Sequence, residues 1–337
     1  MSVRNSSCAV VCLACSLTIG LSSDGTKKAK TARAADAASE PAVMWKDPGD
    51  IAARDLFYGP GGQDHVPHGT FKFEKEDLDG TNPKFVVKDE DGVKWKVKLG
   101  IEARPETVAS RILWAVGYHA NEDYFLADFQ VQGMPAKLHR GQNQVGADGS
   151  MHNVRLKRED EKKIGTWAWR DDPFAGTREW NGLRTLMAVI NNWDLKDENN
   201  AIYDIGGERI FGVSDVGASF GCAGRCWPPK HRAKGDPHTY EESPFIRKLT
   251  ADAVSFGTPS APAYVWALNP KEYVNRLRLE WIGQNIKRAD AKWMGTLLAR
   301  LSPQQIHDAF RAAGYSTEEI DEFSKVLSGR IASLSDL

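Results

Sequence analysis

The sequence predicts an α+β fold of two lobes, a small antiparallel sheet with one helix followed by a mostly helical lobe. Between Thr70 and Leu99 three short segments alternate apolar with polar residues and are separated by turn residues. From Pro270 onward, apolar residues recur at helical spacing behind two hydroxyl-led capping signatures. The chain has 337 residues, 41% hydrophobic and 26% charged, which is enough to bury a substantial core. A formal charge of −1 gives no general pull toward nucleic acid or anionic lipid, so no nucleic-acid partner is expected.

At the N-terminus, Arg4 precedes an apolar run from Cys8 to Leu21, shorter than the roughly 20 residues a spanning helix needs. With Ala32-Arg33-Ala34 behind it as a small-x-small cleavage triplet, residues 1–34 read as a leader for export to a periplasmic or extracellular site. Membrane contact is expected only through this leader or through a lipid anchor at Cys15, whose context loosely resembles a lipid-attachment box. A disordered tail is the alternative to the leader. Residues 35–69 are expected to be flexible or irregular; Tyr58 to Gly62 reads as a loop, and His65 and His68 as surface residues. Cys222 and Cys226 suit a disulfide in an oxidising compartment. Free thiols, or a zinc site completed by His231 and His238, are the alternatives.

Thr70–Asp77, Lys84–Lys88 and Lys94–Leu99 form the expected meander, and in the last of them Lys96 and Lys98 share one face. A helix from Pro105 to Val116 follows, with Glu106 in its first turn and Gly117 at its stop. Tyr124–Val131 adds further strand, which ends a first lobe over residues 70–131; the second spans 132–337. Within the second, Gly141–Asn153 reads as loop and Leu156–Lys163 as a solvated charge run. Thr177–Ile190 carries a helical apolar stripe that delivers the chain to Asn191.

The next stretch concentrates the chemistry: Asn192-Trp193-Asp194-Leu195-Lys196-Asp197-Glu198-Asn199-Asn200, two strands with a Gly206-Gly207 turn, then Ser214-Asp215-Val216-Gly217. A hairpin here sets Asn199 beside Asp215, an amide and a carboxylate of the kind magnesium accepts. Asp194 offers a base and Lys196 a cation. The spacing Asp-Leu-Lys-x-x-Asn followed by Asp-Val-Gly resembles the catalytic loop and metal motif of the protein-kinase-like superfamily, in an atypical branch closer to phosphatidylinositol and HipA-type kinases. An Asn/Asp-rich turn is the plain alternative.

The resemblance implies a two-lobed kinase-like fold that binds ATP and Mg2+. It assigns Asp194 and Lys196 to catalysis, Lys98 and Glu106 to the nucleotide, and Asn199 and Asp215 to the metal. It implies a phosphotransferase acting on a hydroxyl of an unknown substrate; a catalytically inactive binding module and a nucleotidyl transferase are the alternatives. The departures are Asn192-Trp193 before Asp194, Val216 after Asp215, and Asp79-Gly80-Thr81-Asn82 as the lone candidate for a phosphate-covering turn. The segment Phe220–Pro244, with cations Lys230, Arg232 and Lys234, takes the place of an activation segment that presents positive charge to an anionic substrate, or is a proline-interrupted surface loop tied by a short disulfide.

Overall fold

Alternating residues pair where the sequence places them, but the sheet they begin does not stay open. The computed structural model describes residues 40–80, 82–222, 233–258, 267 and 269–337. The expected leader, Cys15, Cys226 and His231, and with them the expectations on export, the disulfide partner and zinc, lie outside those residues. Among the described residues no helix is long and apolar enough to cross a membrane.

The chain enters through a short β1 (Ala42–Val43). Next come β2 (Phe71–Asp77), β3 (Lys84–Lys88) and β4 (Lys94–Lys98), an antiparallel meander. Then β5 (Asp123–Gln132) and β6 (Ser150–Arg158) pair antiparallel, β6 also pairs with β4, and a parallel contact from β5 to β2 closes a five-stranded barrel. The expected loop 141–153 and charge run 156–163 are therefore corrected: both hold parts of β6, and the sheet-bearing part runs past residue 131 to Arg158. Phe85, Val87, Trp95, Val97, Tyr124, Phe129, Val154 and Leu156 fill the barrel.

A second sheet stacks β7 (Lys162–Gly165), β8 (Asn200–Ile205) and β9 (Glu208–Val213), with β1 parallel to β9 at its edge. Residues 41–69 are accordingly packed, not loose: Met44, Ile51 and Leu56 are buried in the helical core. Gly59 lies there at φ 76°, where a Cβ would stand 2.5 Å from the buried Arg111 guanidinium, so this glycine makes room for packing. A small third sheet joins β10 (Ile246–Leu249), β11 (Ala253–Phe256) and β12 (Ile286–Lys287).

The helices are α1 (Ala103–Ala115), α2 (Arg178–Val189), α3 (Pro237–Glu242), α4 (Pro270–Leu279), α5 (Arg288–Leu298), α6 (Pro303–Arg311) and α7 (Thr317–Ser335). Both capping boxes form, Ser302 with Gln305 and Ser316 with Glu319. Val108, Ile112 and Leu113 of α1 join the helical core while Glu106 of the same helix reaches Lys98 and Arg155 on the barrel, which locks the helix between the two halves. Phe310 and Phe323 stack at 4.7 Å, and Phe220 meets both edge-on. Phe220 does so at φ 52°, a costly conformation for a bulky residue that full burial of its ring offsets by about 1.5–3 kcal/mol.

Candidate active site

Three elements converge on Lys98. It ends β4 with its ammonium fully buried, 2.7 Å from Glu106 on α1, 2.7 Å from Glu102 at the start of α1 and 3.0 Å from Asp215. Burial alone would lower its pKa; Asp215, then Glu106 and Glu102, outweigh burial and hold it well above the usual lysine range. Glu106 is gripped from the other side by Arg155 of β6 at 2.8 Å, and Arg155 also faces Asp123 at 3.4 Å. Helix geometry explains the pair of glutamates, since residues four apart share a face and both can reach one amine.

Asp215 follows β9 and is placed by the hairpin. Asn200 pairs with Val213, and the Asn199 carbonyl accepts from the N–H groups of Ser214 at 2.8 Å and Asp215 at 3.1 Å. The start of one strand is thus stitched to the exit of the other. Burial pushes the Asp215 carboxyl up, but Lys98 and the Gly217 N–H pull it far below the usual carboxylate range. Both of those contacts use Oδ1, while 37% of the side chain stays open. Oδ2 accepts no hydrogen bond among the described residues.

Asn199 is similarly poised. Its Nδ2 donates to the Asp194 carbonyl at 2.6 Å, which orients the amide and leaves Oδ1 without a donor among the described residues. Asp194 itself pairs with Lys196 at 2.8 Å, both partly exposed. The turn that presents them starts where α2 ends: Asn191 takes φ 49°, and the Asn192 side chain accepts from the Asp194 N–H at 3.2 Å. Trp193, one of the departures in the loop, is buried with the Arg276 guanidinium 4.4 Å from its ring centre and the Lys234 amine at 5.2 Å. It props two cations beside the loop.

All six residues singled out from the sequence belong to this region, in two linked groups. Lys98, Glu106 and Asp215 touch directly; Asp194, Lys196 and Asn199 are connected to them through the Asn199 carbonyl. Sequence reasoning missed Glu102 and Arg155, and read Lys234 only as one of several cations in the segment 220–244. Glu102 binds Lys98 and Lys234 and accepts from Asn82, and these cations lower its pKa against the upward push of burial. Its signal was the Lys98-x3-Glu102-x3-Glu106 spacing, in which either glutamate is eligible. Asn82 belongs to the turn proposed to cover phosphates, of which Thr81 lies outside the described residues.

Oxygens of Glu102, Glu106 and Asp215 come within 4.8 Å of one another, with Lys98 among them. The donor set is all oxygen, as magnesium prefers.

No protein-family model matches the sequence, and no curated protein matches it. Among solved structures, the chain is similar to the Helicobacter pylori proinflammatory kinase CtkA, with a TM-score of 0.43 and 11% identity over 80% of this chain and 96% of that one. At that level the likeness carries nothing about chemistry, which has to come from the side chains.

Proposed function

We propose that the chain is a kinase-like phosphotransferase that uses ATP and Mg2+ to phosphorylate a hydroxyl. The observation that carries this is the buried amine of Lys98 shared by Glu106 on α1 and Asp215 after β9, with Asn199 tied to the same hairpin. An amine so placed binds phosphate oxygens as a fixed cation, and Glu106 with Arg155 keeps it aimed. Asp215 Oδ2 and Asn199 Oδ1 would hold the metal, which when bound neutralises charge on the transferring phosphoryl group. Asp194 accepts the proton of the attacking hydroxyl, and Lys196, 2.8 Å from it, steadies the charge that develops.

Calorimetric titration of the full chain with ATP, with and without magnesium, tests the reading. Magnesium should tighten binding in the wild type and have no effect in Asp215→Asn. Asp194→Asn should keep binding while slowing ATP turnover by about 10²–10⁴-fold. Binding indifferent to magnesium in the wild type would sink the enzyme reading in favour of a binding module.

A further inference from the structure

From Asp215 inward, carboxylate and cation alternate along one line. Asp215 meets Lys98 at 3.0 Å, Lys98 meets Glu106 at 2.7 Å, Glu106 meets Arg155 at 2.8 Å and Arg155 meets Asp123 at 3.4 Å. Arg111, 1% exposed on α1 and packed against Gly59, is the next cation drawn to Asp123. Glu106 gives Oε1 to Arg155 and Oε2 to Lys98, while Arg155 gives Nη2 to Glu106 and turns Nη1 to Asp123. A guanidinium is a rigid planar fork, so drawing both tips toward fixed carboxylates sets the plane of Arg155 and with it the place of Glu106.

Asp123 has no local task. It is fully buried at the start of β5, and neither of its carboxylate oxygens accepts a hydrogen bond among the described residues, so it caps no helix and ties no turn. Nε and Nη1 of Arg111 likewise donate none among the described residues. Burial pushes the Arg111 pKa down to about 10, against an attraction led by Asp123. Desolvating two such charges is expensive, and an apolar pair of similar volume is often neutral or stabilising in their place. Stability therefore does not account for the pair.

The geometry of α1 does account for it. Glu106 and Arg111 are separated by about 7.5 Å along the helix axis and answer to different strands, Glu106 to Arg155 of β6 and Arg111 to Asp123 of β5. Fastened at one point, a helix pivots about it; fastened at two, it keeps both its rotation and its height against the barrel. The amine that Glu106 shares with Asp215 then keeps one position between strand, helix and hairpin.

We propose that Asp123 and Arg111 are positioning residues, which act through Arg155 and Glu106 to keep the Lys98 amine aimed. Their effect on turnover rests on the phosphotransferase reading; their effect on the amine does not. Asp123→Asn and the double variant Arg111→Met with Asp123→Asn, each in the full chain, are compared with the wild type by thermal melting and by magnesium-dependent ATP turnover. The nitrogen NMR signal of the Lys98 amine is followed alongside in lysine-labelled protein, identified by its loss in Lys98→Arg. Asp123→Asn strands a buried guanidinium and should lower the melting temperature, and Arg111→Met added to it should recover most of that loss, because the two charges then leave together. Turnover should not recover. In both variants kcat/KM for ATP should fall about 10- to 100-fold with KM itself raised, which a smaller folded fraction would not do. The Lys98 signal should shift in both. Turnover that returns with the melting temperature, or an unmoved Lys98 signal in either folded variant, overturns the proposal and leaves the pair purely structural. A Lys98 signal that shifts in both variants, in a chain whose wild type turns over no ATP, supports the proposal while overturning the phosphotransferase reading.

Discussion

Lys98 is 1% exposed and pairs with three carboxylates, Glu102, Glu106 and Asp215. A buried ion cluster of this sort adds little net stability, because desolvation of every charge opposes the attraction, yet removing one member is expensive. Lys98→Met leaves Glu102, Glu106 and Asp215 facing one another with Arg155 and Lys234 at the periphery. The expected loss is about 3–5 kcal/mol, read as a lower urea midpoint, together with loss of ATP binding. An unchanged midpoint would show that the cluster is not held together by this amine. Glu102→Gln made in the same background should recover part of the loss, since it deletes one of the stranded charges.

Among the elements, α6 does more than its capping box announces. Gln305 accepts from the Ser302 N–H at 3.0 Å, and its Nε2 donates to the carbonyls of Ile51 and Arg54, both at 2.8 Å. The cap of a late helix thereby clamps the segment between β1 and β2. Replacing Gln305 with Leu leaves buried carbonyls without donors and should cost about 1–3 kcal/mol by denaturant unfolding, against about 1 kcal/mol for Ser316→Ala at the exposed cap of α7. Equal losses would mean that the clamp contributes nothing. The capping box was legible because it is written in four neighbouring residues; the clamp joins positions about 250 apart, and no local pattern records it. The same contrast runs through the site. Asn199 and Asp215 could be read because one hairpin relates them, and Lys98 and Glu106 because a strand leads directly into a helix. Arg155 could not, because β6 disguises itself: Asn153 stands at φ 53°, so Met151 and Val154, three apart, both face inward and the two-residue alternation that identifies a strand is broken. Its basic residues then look like a solvated run, although Arg155 is buried against Glu106.

For the molecule as a whole, the cleft is defined by two sheets that meet at the Lys157 amine and the Tyr203 hydroxyl, 3.3 Å apart, while α1 and Lys98 join the barrel to the hairpin. The barrel is unevenly fastened. Its β5–β6 flank pairs from Asp123 with Lys157 out to Gln130 with Ser150, whereas β2 is held to β5 by Phe71 against Val131 and Lys72 against Gln132. Such a cylinder has a seam, and thermal fluctuation should unzip it there first, letting β2 and the turn beyond Asp77 swing while the rest of the wall stays shut. Amide hydrogen exchange would register this as faster deuterium uptake at Phe71–Lys72 than along β5 and β6; equal protection would mean the ring is sealed all the way round. A wall loose along one seam can widen at little cost while its better-paired staves, and the buried ion cluster behind them, stay as they are.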